Sequence, residues 1–277
     1  MRLLHLSDWH LGRETYNTSR AGDHDAVISE MLGYAREHKP DLIVHTGDLF
    51  DAVRPAYPEM TRGVNALQEL AVTAPVVVLC GNHDSPALFD LFDQLIGPES
   101  RVRFVSRARP PDQGGILSFP TAADEVIRLA PLPFVHANRM LAGFEEPGTW
   151  SGVYADRIHL IEQGLARGLD DGFDIGRDVG VFAAHLYVGN AVLSGSERKI
   201  QVGIPPRFAM GTRSEHVGTR AVRQVRTKDT AHDVSMIFPQ IERSRHRRRC
   251  CNWSSRYIAS ARKSGMPATT CAATVAA

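Results

Sequence analysis

Four short polar clusters each follow directly on an apolar run: Ser7-Asp8-Trp9-His10, Gly47-Asp48-Leu49-Phe50-Asp51, Gly81-Asn82-His83-Asp84 and, much later, His185 after Val179–Ala184. Carboxylates, imidazoles and an amide oxygen brought together form a mixed nitrogen and oxygen ligand set. Such a set suits a pair of divalent first-row ions such as Mn²⁺. Two ions about 3.5–4 Å apart polarise a phosphoryl oxygen and lower the pKa of a bridging water, which is the chemistry of phosphoester hydrolysis. One carboxylate must be shared, and Asp48 is the candidate because it ends the middle of the three N-terminal runs. Taken one by one the clusters are bland. A D-x-H is common, Asp48 could fill a turn or cap a helix, and Gly-Asn-His-Asp suits a left-handed turn. His5 and His45 fall inside apolar runs and read as core or near-site residues, and Trp9 as core or as a wall of the site. Three such motifs in this order, each at a strand end, point to a metal centre.

The elements that must position them alternate. Met1–Ser7, Asp41–Thr46 and Pro75–Cys80 read as buried strands. Between and after them, apolar spacings of three and four predict helices over Ser19–His38, Pro58–Val72 and Pro86–Ile96. Further strands are expected at Val102–Val105, Gly115–Phe119, Glu125–Leu129 and Val179–Ala184, with a helix at Tyr154–Gly168. Strands alternating with helices predict an α/β fold with largely parallel central strands. Open sheets of this kind place their sites at the carboxyl ends of the strands, where the polar clusters fall.

The 277 residues are 43% hydrophobic and 23% charged, ordinary values that leave enough chain for a buried core. No apolar run reaches the roughly 18–20 residues of a membrane span. The first residues lack the apolar stretch of a secretory signal, and four cysteines make no disulfide framework, so a cytoplasmic location is expected. The net charge of +1 hides two opposite parts. Residues 1–209 carry 19 basic and 27 acidic side chains, a net of −8, whereas 210–277 carry 13 and 4, a net of +9.

The residues Asp8-Trp9-His10, Gly47-Asp48-Leu49-Phe50-Asp51, Gly81-Asn82-His83-Asp84 and His185 resemble the calcineurin-like metallophosphoesterase superfamily. The context Trp9-His10-Leu11-Gly12, Tyr16, Ser19-Arg20 and His24, with Ser85 after the third motif, resembles its SbcD-type nuclease branch. The resemblance covers residues 1 to about 208. It implies a four-layer α-β-β-α sandwich with two Mn²⁺ ions. Asp8 and His10 would hold the first ion, Asp48 would bridge, and Asn82 and His185 would hold the second. His83 would stand over the scissile phosphate as a catalytic group, with Asp84 orienting its imidazole. The family cuts DNA, as an exonuclease on double-stranded ends and an endonuclease on single strands and hairpins. It works with an SbcC-type ATPase, as a homodimer within a heterotetramer.

One departure is plain. The family carries a Gly-His-x-His motif soon after the region matched by Pro205-Pro206-Arg207-Phe208, and its two histidines complete the metal shells. No such motif occurs here; His216 and His232 are isolated. After about residue 208 apolar periodicity fades, apart from a weak run near Val234–Ile241, while Arg, Ser, Thr and Cys rise, as in His246-Arg247-Arg248-Arg249-Cys250-Cys251. A shifted reading frame in a GC-rich gene would give this break. The expectation is a nuclease domain over 1–209, incomplete at its C-terminus, and an out-of-frame segment over 210–277. The competing reading of that segment is a native basic arm that neutralises DNA phosphates. Loss of the motif predicts weakened metal binding, impaired activity and an open edge on the second sheet. Two other functions stay open: a phosphoesterase acting on small esters, and a non-catalytic assembly or binding piece.

Overall fold

Strands that pair in chain order, joined by right-handed crossovers, send every connecting helix to the same face of a sheet. That rule sets the architecture seen in a computed structural model of the chain, which describes residues 1–136 and 154–186 and the strand segments at 219–221, 234–242, 259–260 and 274–276. In chain order the elements are β1 (Arg2–Ser7), the short strands β2 (Glu14–Thr15) and β3 (Thr18–Ser19), α1 (Ala21–His38), β4 (Leu42–His45), α2 (Tyr57–Thr73), β5 (Val76–Leu79), α3 (Pro86–Ile96), β6 (Val102–Val105), β7 (Leu117–Pro120), β8 (Val126–Leu132), α4 (Tyr154–Asp170), β9 (Asp178–Leu186), β10 (Thr219–Ala221), β11 (Val234–Glu242), β12 (Ala259–Ser260) and β13 (Thr274–Ala276).

β1, β4, β5 and β6 lie side by side and parallel. β12 and β13 both pair with β1. Residues alternate between the two faces of each strand. Leu4 and Leu6 of β1, Ile43 of β4 and Val76 and Val78 of β5 join the core beneath the helices, with Leu32, Leu67 and Phe89. Leu3, Leu42, Val44, Val77 and Leu79 point the other way and meet Ile127, Leu129, Val181 and Ala183 of a second sheet. That sheet has the order β10-β11-β9-β8-β7. Its outer face packs Leu132, Phe182 and Leu186 against Ile158, Ile161 and Leu165 of α4. The layers run helix, sheet, sheet, helix. Runs such as Val76–Leu79 are apolar throughout because both of their faces are covered. Among the described residues no helix is long and apolar enough to cross a membrane.

Two details depart from the sequence reading. α1 starts at Ala21, because Thr18–Ser19 turn back on Glu14–Thr15 as a hairpin. Tyr16 and Asn17, both at positive φ (53° and 57°), make the two-residue turn that such a hairpin requires. The edge of β9 is not open either. β11 runs antiparallel along it, from Val234 opposite Leu186 to Gln240 opposite Gly180. Main-chain groups make that ladder, so a weakly apolar run suffices to cover the edge. The rest of 210–277, outside the strand segments, lies beyond the described residues, as does the question of its reading frame.

Two buried imidazoles set the response of this fold to acid. His5 lies on the inter-sheet side and its Nε2 is 2.7 Å from Thr46 Oγ1. His45 lies on the helix side, its ring edge-on to Trp9 at 5.0 Å. Trp9 itself is core. Burial lowers the pKa of His5 to about 4. Burial, helped by the imidazoles of His5, His185 and His10, lowers that of His45 to about 3. Both are neutral in the fold, whereas the unfolded chain protonates them below about pH 6.5. Their contribution is therefore intact above pH 6.5 and is lost as the pH falls toward 4. By pH 5 each group should cost about 2 kcal/mol. Urea unfolding followed from pH 8 to pH 5 in the presence of a chelator should show this fall, and a flat profile would contradict it.

Candidate metal centre

Because the four parallel strands point the same way, their carboxyl ends share one edge, and the polar clusters gather there. The loops after β1 and β4 stay paired beyond the strands. The N–H of Asp8 donates to the Gly47 carbonyl, that of His10 to Asp48 and that of Leu11 to Leu49, each at 3.0 Å, and the Asp51 N–H returns to Leu11 at 3.1 Å. Leu49 and Phe50 are fully buried and anchor the second loop. Within this ladder Asp8, His10 and Asp48 adopt φ of 57°, 46° and 54°. Left-handed backbone at a non-glycine residue costs about 1–3 kcal/mol and gathers at functional sites. Here it turns three candidate ligands off their strands toward one another.

Asp48 stands at the centre, fully buried. Its Oδ2 lies 3.7 Å from His10 Nε2 and its Oδ1 lies 3.8 Å from His185 Nε2. The two oxygens of one carboxylate thus address two different imidazoles. Asp8 Oδ1 is 4.0 Å from His10 Nε2. On the other side Asn82 Oδ1 is 2.9 Å from His185 Nε2. His185 comes from β9 of the second sheet, on the inter-sheet face. Its Nδ1 lies 2.9 Å from the Thr46 carbonyl, which can only accept, so Nδ1 carries a proton, and in the neutral ring Nε2 holds a lone pair. That lone pair faces two oxygen acceptors, Asn82 Oδ1 and Asp48 Oδ1. A ring nitrogen, an amide oxygen and a carboxylate oxygen gathered around one point make a donor set for a cation. His10 lies beside a second carboxylate: its Nδ1 is 3.2 Å from Asp51 Oδ1, a close charge contact without hydrogen-bond geometry. Burial lowers the His10 pKa, and so does His83, while Asp8 and Asp51 pull it up; the net shift is downward.

All the expected site residues meet at this edge, with one change of role. Asp84 does not orient His83. One of its carboxylate oxygens accepts the Phe50 N–H at 2.9 Å, and the other accepts those of Gly81 at 2.8 Å and Leu49 at 3.2 Å. Burial raises its pKa against the pull of those three bonds. The His83 imidazole is held instead by the Asp51 carbonyl, 2.9 Å from Nδ1, and sits edge-on to His10 with ring centres 4.8 Å apart. Ligand atoms of His10, Asp48 and His83 all lie within 4.8 Å of one another. Asp51 and Thr46, whose carbonyls hold the imidazoles of His83 and His185, have no assigned role in the sequence reading. The spacing of Asp48 and Asp51 is the available signal for the first. The second acts through its main chain, and no side-chain motif reports it.

Two glycines leave the room that the centre needs. A Cβ on Gly47, which is at φ +120°, would lie 2.4 Å from His185 Nδ1. One on Gly81 would lie 2.1 Å from Asp48 Oδ1 and 2.3 Å from the Asp48 nitrogen.

Residues 1–163 match the calcineurin-like phosphoesterase family. The chain is 43% identical over 90 residues to the SbcD subunit of nuclease SbcCD from Escherichia coli (strain K12), a stretch covering 31% of this chain and 22% of that protein. It is 28% identical over 210 residues to the SbcD subunit of nuclease SbcCD from Bacillus subtilis (strain 168), covering 73% of this chain and 51% of that one. The chain therefore spans about half the length of the latter relative and about a fifth of the former.

Asp84→Ala should leave three buried N–H groups without an acceptor and cost about 3 kcal/mol of chelator-treated stability, with Asp84→Asn costing less. Gly81→Ala should cost about 1–3 kcal/mol through overpacking and weaken Mn²⁺ binding at least tenfold. Urea unfolding and calorimetric Mn²⁺ titration read these effects. Wild-type stability in Asp84→Ala would remove the bracing role.

Proposed function

The chain belongs to the calcineurin-like phosphoesterase family, and from that premise we propose that it is a metal-dependent DNA nuclease of the SbcD type. In this reading it cuts phosphodiesters as an exonuclease on duplex ends and an endonuclease on single strands and hairpins, in DNA repair, recombination and replication. The observation that carries the reading is the placement of Asp48, whose two oxygens lie 3.7 and 3.8 Å from imidazoles on opposite sides. Asp8 and His10 would hold one ion, Asn82 and His185 the other, with Asp48 shared and manganese as the metal. When bound, the two ions supply Lewis-acid polarisation of the phosphoryl group and a water of lowered pKa.

The chain's own residues do the rest. The Thr46 carbonyl fixes the direction of His185. His83, with Nδ1 against the Asp51 carbonyl, has an Nε2 proton only as the imidazolium. In that form it donates to an oxygen of the scissile phosphate, where negative charge develops. α3 begins at Pro86, directly after this loop, so its positive end favours an anionic substrate. Asp84 acts by holding the loops together, not by touching substrate. The relatives' names describe one component of a nuclease of several parts, which supports assembly with a partner. In this reading the partner is an SbcC-type ATPase, and the chain works as a homodimer within a heterotetramer, in the cytoplasm.

With the full chain and Mn²⁺, linear duplex DNA and a chromogenic phosphodiester should both be hydrolysed. A chelator should stop both reactions, and Asp48→Asn should lower both by at least about 100-fold. Metal-independent cleavage, or full activity in Asp48→Asn, would sink the proposal. Hydrolysis of the small diester without DNA cleavage would leave a small-ester phosphoesterase.

A further inference from the structure

A ligating imidazole is placed by the group that holds its other nitrogen. For His185 that group is the Thr46 carbonyl, 2.9 Å from Nδ1. The carbonyl belongs to the peptide unit that joins Thr46 to Gly47. Its direction turns on ψ of Thr46 and φ of Gly47. Glycine takes up both signs of φ readily, here +120°, so the Gly47 side restrains the unit weakly. The N–H of the unit reaches His45 Nδ1 at a long 3.4 Å. The Thr46 side is held far better. Thr46 is fully buried. Its N–H donates to the Leu6 carbonyl of β1 at 2.9 Å. Its hydroxyl lies 2.7 Å from Nε2 of His5, which is buried on β1 opposite Val44 of β4. A chain of contacts therefore runs from His5 to Thr46 to His185, and on from His185 Nε2 to Asn82 Oδ1 at 2.9 Å. It starts in the first sheet, crosses to the second and ends in the candidate metal centre.

The bland reading is that His5 and Thr46 only satisfy each other inside the fold. Their surroundings argue for more. Leu3, Leu42 and Val44, on the same face of β1 and β4, pack directly between the sheets. A buried hydrogen bond is close to neutral against an apolar pair of the same shape, so a leucine and a valine would serve stability equally well. Burial also pushes the His5 pKa down to about 4, which costs the fold stability in acid. What the polar pair does, and an apolar pair does not, is fix a direction.

We propose that His5 is a positioning residue for the second metal ion: through the Thr46 hydroxyl it sets the direction of the Thr46 carbonyl, and with it the aim of the His185 imidazole. The inference rests on the two-ion reading above and adds to it a residue outside the ligand set. His5 touches neither substrate nor ion in this role. It acts one layer behind Thr46, which itself stands behind the ligand.

The test uses the full chain and two readouts: calorimetric Mn²⁺ titration, and solvent exchange of the His185 Nδ1 proton followed by NMR in the chelator-treated protein. Asn82→Ala identifies the binding event of the second ion. His5→Leu should weaken that event about tenfold, the low end of what loss of a ligand's hydrogen-bond partner costs, and leave the other event within about twofold of wild type. Thr46→Val, which removes the hydroxyl and keeps the carbonyl, should do the same. The double variant should lose no more than either single one, because the two groups act as a unit. His5→Gln, whose amide reaches about as far as Nε2, should recover most of the affinity. In chelator-treated His5→Leu the His185 proton should exchange at least about tenfold faster than in wild type. If His5→Leu does not fold, Thr46→Val carries the same readouts. Additive losses in the double variant, equal weakening of both events, no rescue by His5→Gln, or unchanged proton exchange would each overturn the proposal. If wild type shows no event that depends on Asn82, the two-ion reading fails. Proton exchange then decides by itself: faster exchange in His5→Leu keeps the positioning of His185, and unchanged exchange removes it.

Discussion

The buried carboxylate of Asp84 is the interaction on which the centre depends. It collects N–H groups from Gly81 on its own loop and from Leu49 and Phe50 on the loop after β4. Bonds from backbone N–H to a charged acceptor are among the stronger ones available. They lock two loops that would otherwise be free to move apart, and Asp48 sits in the locked segment. Its left-handed backbone is unfavourable locally, as are those of Asp8 and His10. The strain persists because the loop ladder and the Asp84 bonds over-determine these conformations.

The second requirement is that both sheets meet at that edge. The chain-order pairing of β1, β4, β5 and β6 sends α1, α2 and α3 to one face and leaves the other for a second sheet. Only residues on the inner face of β9 look back at the parallel strands. His185 has the same parity as Val181 and Ala183, which are packed between the sheets. Its ring crosses a separation of 139 residues to reach Thr46. Gly47 lets it come that close, since any side chain there would occupy the space of the imidazole. The long-range contact and the local glycine are one design feature.

Much of this was legible in the sequence. The central strands read as strands because they are apolar on both faces, and the polar motifs named their own strand ends. The layered fold and the convergence of Asp8, His10, Asp48, Asn82 and His185 follow from those two facts together with the family resemblance. What stayed hidden was main-chain pairing. Whether Asp84 holds an imidazole or three N–H groups depends on how two loops lie against each other, and no side-chain pattern encodes that. The same holds for Thr46, which works through its carbonyl, and for β11, which covers the edge of β9 through ladder bonds. The residue type says that a group has a polar task; the register says with whom.

Burial serves two ends at this edge. It lowers the pKa of His5, His45 and His10, so that these imidazoles stay neutral near pH 7. A neutral ring offers a lone pair and adds no positive charge to a pocket suited to cations. If the centre were opened to solvent, the fold would gain acid tolerance, but more of the His10 ring would be protonated at a given pH and less of it ready as a ligand. A site that keeps its ligands ready in this way must sit in a fold that loses stability as the pH falls. Acid sensitivity and ligand readiness are therefore two consequences of the same packing of two sheets against each other.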